Sequence, residues 1–470
     1  MVRSVDRSFK SQAALTLAGA SPNDAISLQL YRRLVSLIVS GHWLDGTRLP
    51  SSRKLAMDVG VSRTTASLAL DRLVSEGWAI ARPRSGLFVA RSIERPVVRD
   101  SDDRRSSASS PVPFELSQGA VDCFPHARWS KLQSRVWAAH VPDALYEPNA
   151  AGDHGLRSSL VRHLIVTRGI QCSAENIFLV PSTRAAMALT GKILADEVAT
   201  FAAENPGYAR GADSLAERGL KTLAIPVDRA GLVVNALSGI AGPVLAYVTP
   251  AAQFPTGVIL ARARRDELAE WAMTDQHWLF EDDYDWDARF DGSRPEPPLR
   301  SGPAALRTFY CQSFSRTLFS SFRLAALVVP DSLRERAIIA QDGIEGASNL
   351  PNQLVLRQFI DSGAYAAHLR HLRDVYRDRR EALLDIVQPY LGARFETELN
   401  PAGLRLVLRC SSSHAQQLAS RLREQGVLCS TLTELSASGV ADDGIVLGFA
   451  AFSVDDIRNR AAQIARAFDD

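Results

Sequence analysis

Between Arg91 and Pro113 the chain reads RSIERPVVRDSDDRRSSASSPVP, a run of serine, proline and charge in which no apolar position recurs at helix or strand spacing. A segment of that composition buries too little apolar surface to offset the entropy of ordering it. Structureless stretches of this length are also uncommon inside a compact domain. The run therefore divides the chain. We assign an N-terminal extension to 1–25, a first domain to 26–91, a linker to 92–113 and a second domain to 114–470, with a smaller C-terminal subdomain from about 390 to 470.

Charge divides along the same line. Residues 26–91 hold ten Lys or Arg against four Asp or Glu, whereas the whole chain carries a net charge of only +2. Positive charge gathered in one small segment is the electrostatic footprint of a nucleic-acid-binding module. No stretch approaches the roughly 18–20 continuous apolar residues of a membrane-spanning helix. Met1 to Ala20 lacks the apolar centre of a secretory signal, so a cytoplasmic location is expected. Cys123, Cys172, Cys311, Cys410 and Cys429 are scattered without CxxC spacing, which suggests neither a disulfide framework nor a zinc knuckle.

Within the basic segment, Leu30, Leu34, Leu37 and Ile38 form the apolar stripe of a first helix that Gly41 ends. Ser51 is placed to cap a second helix, SSRKLAMDV, and Ser62 a third, SRTTASLALDRLVSEG. Gly60 supplies the left-handed turn between them, and the small Ala56 allows a close crossing. Arg63, Thr64 and Thr65 fall in the first turn of the third helix, the position from which a helix lying in a major groove reaches base edges. Trp78–Ala81 and Leu87–Ala90 can pair around RPRSG as a hairpin with Arg82 and Arg84 at its tip.

Beyond the linker, apolar runs at Ile177–Val180, Val244–Thr249, Trp278–Glu281 and Leu327–Pro330 alternate with helical patterns such as Ala185–Leu194 and Ala263–Met273. This alternation predicts an α/β domain on a largely parallel sheet. Gln353–Tyr390 reads as a long connecting helix, after which mixed α and β patterns return from Pro401. Ligands of such sheets sit where strands end and helices begin. PSTRAAMAL, WLFEDDYDWD and FYCQSFSRTLFSSFR each offer polar side chains at such an end.

The stretch LPSSRKLAMDVGVSRTTASLALDRLVSEGWAIARPRSGLFVA resembles the GntR-type winged helix at the head of MocR/GabR-like (PdxR-type) regulators. The resemblance implies DNA contacts from Arg53, Ser62, Arg63, Thr64, Thr65 and the wing arginines Arg82 and Arg84, the last standing where the family usually has Gly. From about Phe114 onward, LYEPNAAGDHGLRSSLVRHLIVTRGI, ENPGY, YVTPAAQFPTGV, EDDYD, QSFSR and HLRHLRDVYRDRREALL resemble the aminotransferase-like domain of the same regulators, a fold-type I pyridoxal phosphate fold. That likeness implies a multidomain chain: an α+β winged helix-turn-helix, then an α/β aminotransferase fold with a smaller α+β subdomain.

It also implies roles. Asp282 would pair with a pyridine nitrogen, Tyr284 with the ring's phenolic oxygen, and Tyr208 would stack on the ring. Ser182, Thr183, Arg184, Ser313 and Arg323 would hold the phosphate, and Arg210 would grip an effector carboxylate. In QSFSR, however, Arg316 stands where the family keeps the Schiff-base lysine. A guanidinium stays charged and is a poor nucleophile, so it cannot take the place of an amine that bonds to an aldehyde. Lys221 is the last lysine of the chain, and only five lysines stand against forty-nine arginines. Ser182, Arg184, Ala252, Arg405 and Val446 are further departures from the family pattern.

The expectation is therefore a dimeric, DNA-binding regulator that senses a small ligand, with pyridoxal 5′-phosphate held non-covalently at most, without catalysis and without a metal. Two readings stay open beside it: an aminotransferase with an appended DNA module, and a sensor of an unrelated phosphorylated or carboxylate metabolite. His368 and His371 are read as packed or solvated histidines, because no third ligand is spaced near them. The acidic run from Glu281 to Asp287 lacks the loop of a calcium site.

Overall fold

The computed structural model describes residues 26–90, 114–116, 118–139, 149–208, 215–216, 219–342, 350–392, 395–396, 400–437 and 443–469. They fall into two compact units, one of residues 26–90 and one beginning at 114. The N-terminal extension, the linker and Arg210 lie outside the described residues.

The first unit runs α1 (Ile26–Val39), α2 (Ser52–Val59), α3 (Arg63–Ser75), β1 (Ala79–Arg82) and β2 (Gly86–Val89). The expected stripe of α1 is buried. It packs with Leu55 and Ala56 of α2 and with Ala66, Ala69, Leu70 and Leu73 of α3. Each fully buried leucine contributes roughly 1.5–3 kcal/mol relative to exposure. Both caps form: Ser51 Oγ accepts from Lys54 N at 3.3 Å, and Ser62 Oγ accepts from Thr65 N at 3.0 Å. Gly60 takes the left-handed conformation at φ 76°. The hairpin pairs Ala79 with Val89 and Arg82 with Gly86.

One feature of this unit was not legible in the sequence: residues 46–49 line the outer edge of β2. Leu49 N donates to Leu87 O at 2.8 Å and Val89 N donates to Thr47 O at 2.9 Å. Tyr31 of α1 donates its hydroxyl to Glu76, just past α3. Arg72 donates to the same carboxylate at 2.7 Å, with its guanidinium 4.7 Å from the Tyr31 ring centroid. That cluster fixes the angle of α3 against α1.

The second unit is built on an eight-stranded sheet. Its strands are β3 (Ile177–Val180), β4 (Thr200–Asn205), β5 (Lys221–Asp228), β6 (Gly231–Leu232), β7 (Val244–Val248), β8 (Trp278–Asp282), β9 (Thr308–Ser313) and β10 (Ala325–Val328). They lie in the order β3-β10-β9-β8-β7-β4-β5-β6. β5, β4, β7, β8 and β9 run parallel. β10 runs antiparallel to both of its neighbours, and β6 runs antiparallel to β5. The sheet is thus mixed rather than wholly parallel. β9 returns directly into β10, and only a crossover connection could have made that pair parallel.

Side chains alternate across the sheet. Ile177 and Leu179 join α4 (His126–Ala138) and α5 (His154–Arg168) on one face, while Phe178 and Val180 join α6 (Thr183–Ile193) on the other. Both faces are covered, which is why β3, β7, β8 and β10 are buried along their whole length.

The expected long helix is two helices, Leu350–Asp361 and Ala364–Val387. They are separated at Gly363, which sits at φ 72°. The second leads into a three-stranded antiparallel sheet of β11 (Arg405–Cys410), β12 (Ser430–Thr431) and β13 (Asp443–Gly448), in the order β11-β13-β12. The core of this subdomain also takes in Leu372, Tyr376 and Leu383 of that helix, together with Phe114 and Ala120 from the start of the unit.

Candidate DNA-contact face and ligand pocket

In the winged helix, Arg53, Ser62, Arg63 and Thr64 are exposed and Thr65 is half-buried. The Ser62 and Thr65 hydroxyls meet at 2.8 Å, and the Ser62 hydroxyl also accepts the Thr65 N–H. These two groups therefore hold the helix end, which leaves the side chains of Arg63 and Thr64 standing free at its N-terminus. Arg82 and Arg84 are both exposed on the hairpin. The Arg82 guanidinium lies 4.5 Å from the Phe88 ring centroid, and Arg84 has the left-handed φ of 61°. Sequence reasoning missed Arg48. This exposed arginine bridges to Phe88, and its Nε would lie 3.4 Å from a Cβ built on Gly86. It adds a third guanidinium beside the wing.

In the second unit, strand register brings most of the expected pocket residues to one end of the sheet. Val180 pairs with Ala325 and Ala325 with Ser313, while Asp282 pairs with Cys311. Asp282 closes β8, Ser313 closes β9, and Ser182 caps α6 just after β3. Tyr208 follows β4, with its ring centroid 6.4 Å from those of Tyr247 and Phe254.

Asp282 is buried, and its Oδ2 accepts from the Tyr247 hydroxyl at 2.8 Å. Its Oδ1 is buried without a hydrogen-bond partner among the described residues. Burial, reinforced by Asp283 and Asp285, pushes this carboxyl up to about 7 against the pull of Tyr247. The Tyr284 hydroxyl donates to Ala252 O at 3.0 Å and accepts from Arg405 Nη1 at 3.3 Å. Arg405 also donates to Asp285 Oδ2 at 3.2 Å and to Leu116 O at 2.9 Å. Arg316 lies near the same ring, its guanidinium 5.9 Å from the Tyr284 centroid. Its Nη1 is buried with no partner among the described residues, and burial together with the neighbouring Arg405 lowers its pKa.

The expected phosphate residues divide. Ser182 and Thr183 are half-buried at the start of α6, where Ser182 Oγ accepts from Ala185 N at 3.2 Å and Thr183 Oγ1 lies 3.8 Å from Cys311 Sγ. Ser313 is half-buried, its Oγ accepting from Ser315 N at 3.3 Å. Arg184 and Arg323 are exposed, the latter at φ 53°.

The acidic run is shared out among separate partners. Glu281 accepts from the N–H groups of Leu299 and Arg300, both at 2.9 Å. Asp283 takes Arg168 at 2.6 Å and the Tyr310 hydroxyl at 2.7 Å. Asp285 takes Arg405, so neighbouring carboxylates do not converge on one point. His368 is buried, with Nε2 2.7 Å from Thr317 O. Arg379 is buried and paired with Asp122 at 2.6 Å.

Residues 26–89 match the family described as "Bacterial regulatory proteins, gntR family", and residues 115–459 match "Aminotransferase class I and II". The chain is 30% identical to the HTH-type pyridoxine biosynthesis transcriptional regulator PdxR of Corynebacterium glutamicum, over 94% of this chain and 96% of that one. It is 29% identical to the Rhizobium meliloti protein named "Probable rhizopine catabolism regulatory protein MocR", over 94% and 93%. The crystal structure of LysN, the alpha-aminoadipate aminotransferase of Thermus thermophilus, in complex with N-(5′-phosphopyridoxyl)-L-leucine, superposes with a TM-score of 0.69 at 21% identity. The match covers 78% of this chain and 94% of that one. At that identity the likeness establishes the fold.

Fold and sequence together define a helix-turn-helix protein with an aminotransferase-type body. The chain belongs to the aminotransferase class I and II family and, by its full-length relatives, to the MocR/PdxR-like transcriptional regulators.

Among the described residues no helix is long and apolar enough to cross a membrane. Aminotransferase folds usually hold pyridoxal phosphate, and the pocket fits such a ring in part. The unpartnered, buried Oδ1 of Asp282 suits a ring N–H. Among the described residues of the second unit, Lys192 donates to Ala340 O at 2.7 Å, Lys131 is exposed on α4, and Lys221 opens β5 opposite Thr200, at the end of β4 away from Tyr208.

Proposed function

We propose that the protein is a homodimeric, cytoplasmic DNA-binding regulator whose second domain binds a small ligand non-covalently and performs no catalysis. The domains are 26–91 and 114–470, joined by the linker 92–113 and preceded by the extension 1–25. Arg63 and Thr64 read bases from the N-terminus of α3, supported by Arg53, Ser62, Thr65 and the wing cations Arg82 and Arg84. Ligand binding shifts the operator affinity by favouring one arrangement of the two modules.

The observation that carries the sensing half is a buried, half-satisfied Asp282 two residues before Tyr284, whose ring lies 5.9 Å from the Arg316 guanidinium. Arg316 takes the position of the Schiff-base lysine, and no other lysine of the described pocket replaces it. If pyridoxal phosphate is the ligand, Asp282 holds the ring nitrogen, Tyr208 stacks on the ring, and Ser182, Thr183 and Ser313 hold the phosphate. Arg184 and Arg323 add charge at the rim, and Arg210 takes an effector carboxylate. The cofactor would supply an electron-withdrawing ring, whereas these residues bind and orient it.

The test is fluorescence anisotropy of the full chain with DNA from its own upstream region, titrated with salt and repeated with Arg63→Ala. Sequence-selective, salt-sensitive binding that Arg63→Ala weakens is expected. Binding indifferent to both salt and Arg63 would refute the regulator reading.

A further inference from the structure

Four polar atoms around Tyr284 are buried without hydrogen-bond partners among the described residues: Asp282 Oδ1, Asp285 Oδ1, Arg316 Nη1 and Arg405 Nε. Native proteins pair nearly all such groups, and a cluster of orphans on charged side chains calls for something that satisfies them. The four make a balanced set of two acceptors on carboxylates and two donors on guanidinium groups. Arg405 and Asp285 have side chains only 2% and 1% exposed. The two guanidinium carbons lie 5.9 Å and 5.6 Å from the same ring centroid, that of Tyr284, which brings both donor groups to one side chain. Burial, and after it the nearby Arg405, lowers the Arg316 pKa. Asp285 already pairs with Arg405 through Nη1, and one buried donor on each guanidinium is left unmet.

Resting on the non-covalent sensing reading above, we infer that Arg316 and Arg405 form an anion clamp for a carboxylate. The ligand is then an N-heteroaromatic ring that carries a carboxylate, not an aldehyde, on the side facing Arg316. Asp282 Oδ1 takes the ring N–H, and the guanidinium donors take the carboxylate oxygens. A guanidinium fork matches a carboxylate geometrically and does not bond covalently to an aldehyde, so the same substitution that removes covalent capture favours the oxidised ring.

The test is calorimetric titration of the full-length protein with three probes: 4-pyridoxic acid 5′-phosphate, pyridoxal 5′-phosphate and inorganic phosphate. Wild type is expected to bind the 4-carboxylate at least about tenfold more tightly than the aldehyde. Arg316→Met is expected to bring the two within about threefold, and Arg316→Lys, which restores an amine able to bond to the aldehyde, to reverse the preference. Far-ultraviolet dichroism and a thermal melt check that each variant is folded; Arg316→Gln serves if the methionine variant is not. Equal or tighter binding of the aldehyde by wild type, an undiminished preference in Arg316→Met, binding of inorganic phosphate as tight as that of the ring, or no heat with either ring would each overturn the clamp. The DNA titration above fails or succeeds independently, so loss of the clamp and loss of the regulator reading are told apart.

Discussion

Arg84 occupies the left-handed region at φ 61° on the tip of the wing. An L side chain there costs roughly 1–2 kcal/mol. Arg84→Gly removes that cost, while the greater freedom of glycine in the unfolded chain offsets roughly 0.5–1 kcal/mol of it. The side chain is exposed, so no packing is lost. The winged-helix unit should therefore gain about 0.5–1 kcal/mol. The same change removes one cation from each wing and should make the slope of log affinity against log salt shallower by about 0.9 per protomer bound.

Arg84→Ala separates the two effects, because it loses the charge but keeps a Cβ at positive φ. It should show the shallower slope without the gain in stability. Hydrogen exchange of amides in α3 and β2, measured on the full chain, reads the stability of this unit, and anisotropy against salt reads the slope. The strain reasoning fails if Arg84→Gly is no better protected than wild type, or if Arg84→Ala is stabilised equally.

Ser62→Ala should destabilise the winged helix by about 1 kcal/mol, with the Thr65 amide, which donates to Ser62 Oγ, the first to lose exchange protection. Arg168→Met should cost about 3–5 kcal/mol in urea unfolding, because it strands Asp283 in a pair whose side chains are 2% and 0% exposed. Adding Asp283→Asn should recover much of that loss. Asp282→Asn tests the raised carboxyl. The folded-state pKa of about 7 lies above the ordinary 3.8, so the folded protein binds a proton that the unfolded chain has released. Stability then falls as pH rises through that window. Asparagine does not titrate, so relative to wild type the variant should be more stable at pH 8 than at pH 5, by on the order of a few kcal/mol. The same difference at both pH values would contradict it.

What the sequence revealed is mostly local. The caps at Ser51 and Ser62, the turn at Gly60 and the basic hairpin follow from residues within a few positions of one another, and all four form. Fully buried strands such as Val244–Val248 and Trp278–Asp282 announced themselves as continuous apolar runs. β4 (TFAAEN) and β5 (KTLAIPVD) did not, because alanine and glutamate dilute the one and solvent exposure the other. β10 ends at Val328 rather than Pro330, since its length is set by pairing with β3 and β9.

In the pocket, the motifs placed Asp282, Tyr284 and Ser182 at strand and helix ends, but the partners that define their chemistry are remote in sequence. Tyr247 reaches Asp282 across 35 positions, and Arg405 reaches Asp285 across 120. No periodicity encodes such pairings. Arg405 stood out only as a departure from the family pattern, and its role emerged from the buried ion pair.

The most direct measurement mixes the full-length protein with pyridoxal 5′-phosphate, reduces with borohydride, and reads intact mass and peptide maps. Unmodified protein, with ligand recovered free after denaturation, is the result expected of a sensor whose pocket offers Arg316 where an amine would be needed. A stoichiometric adduct mapped to any lysine lining this pocket would contradict it.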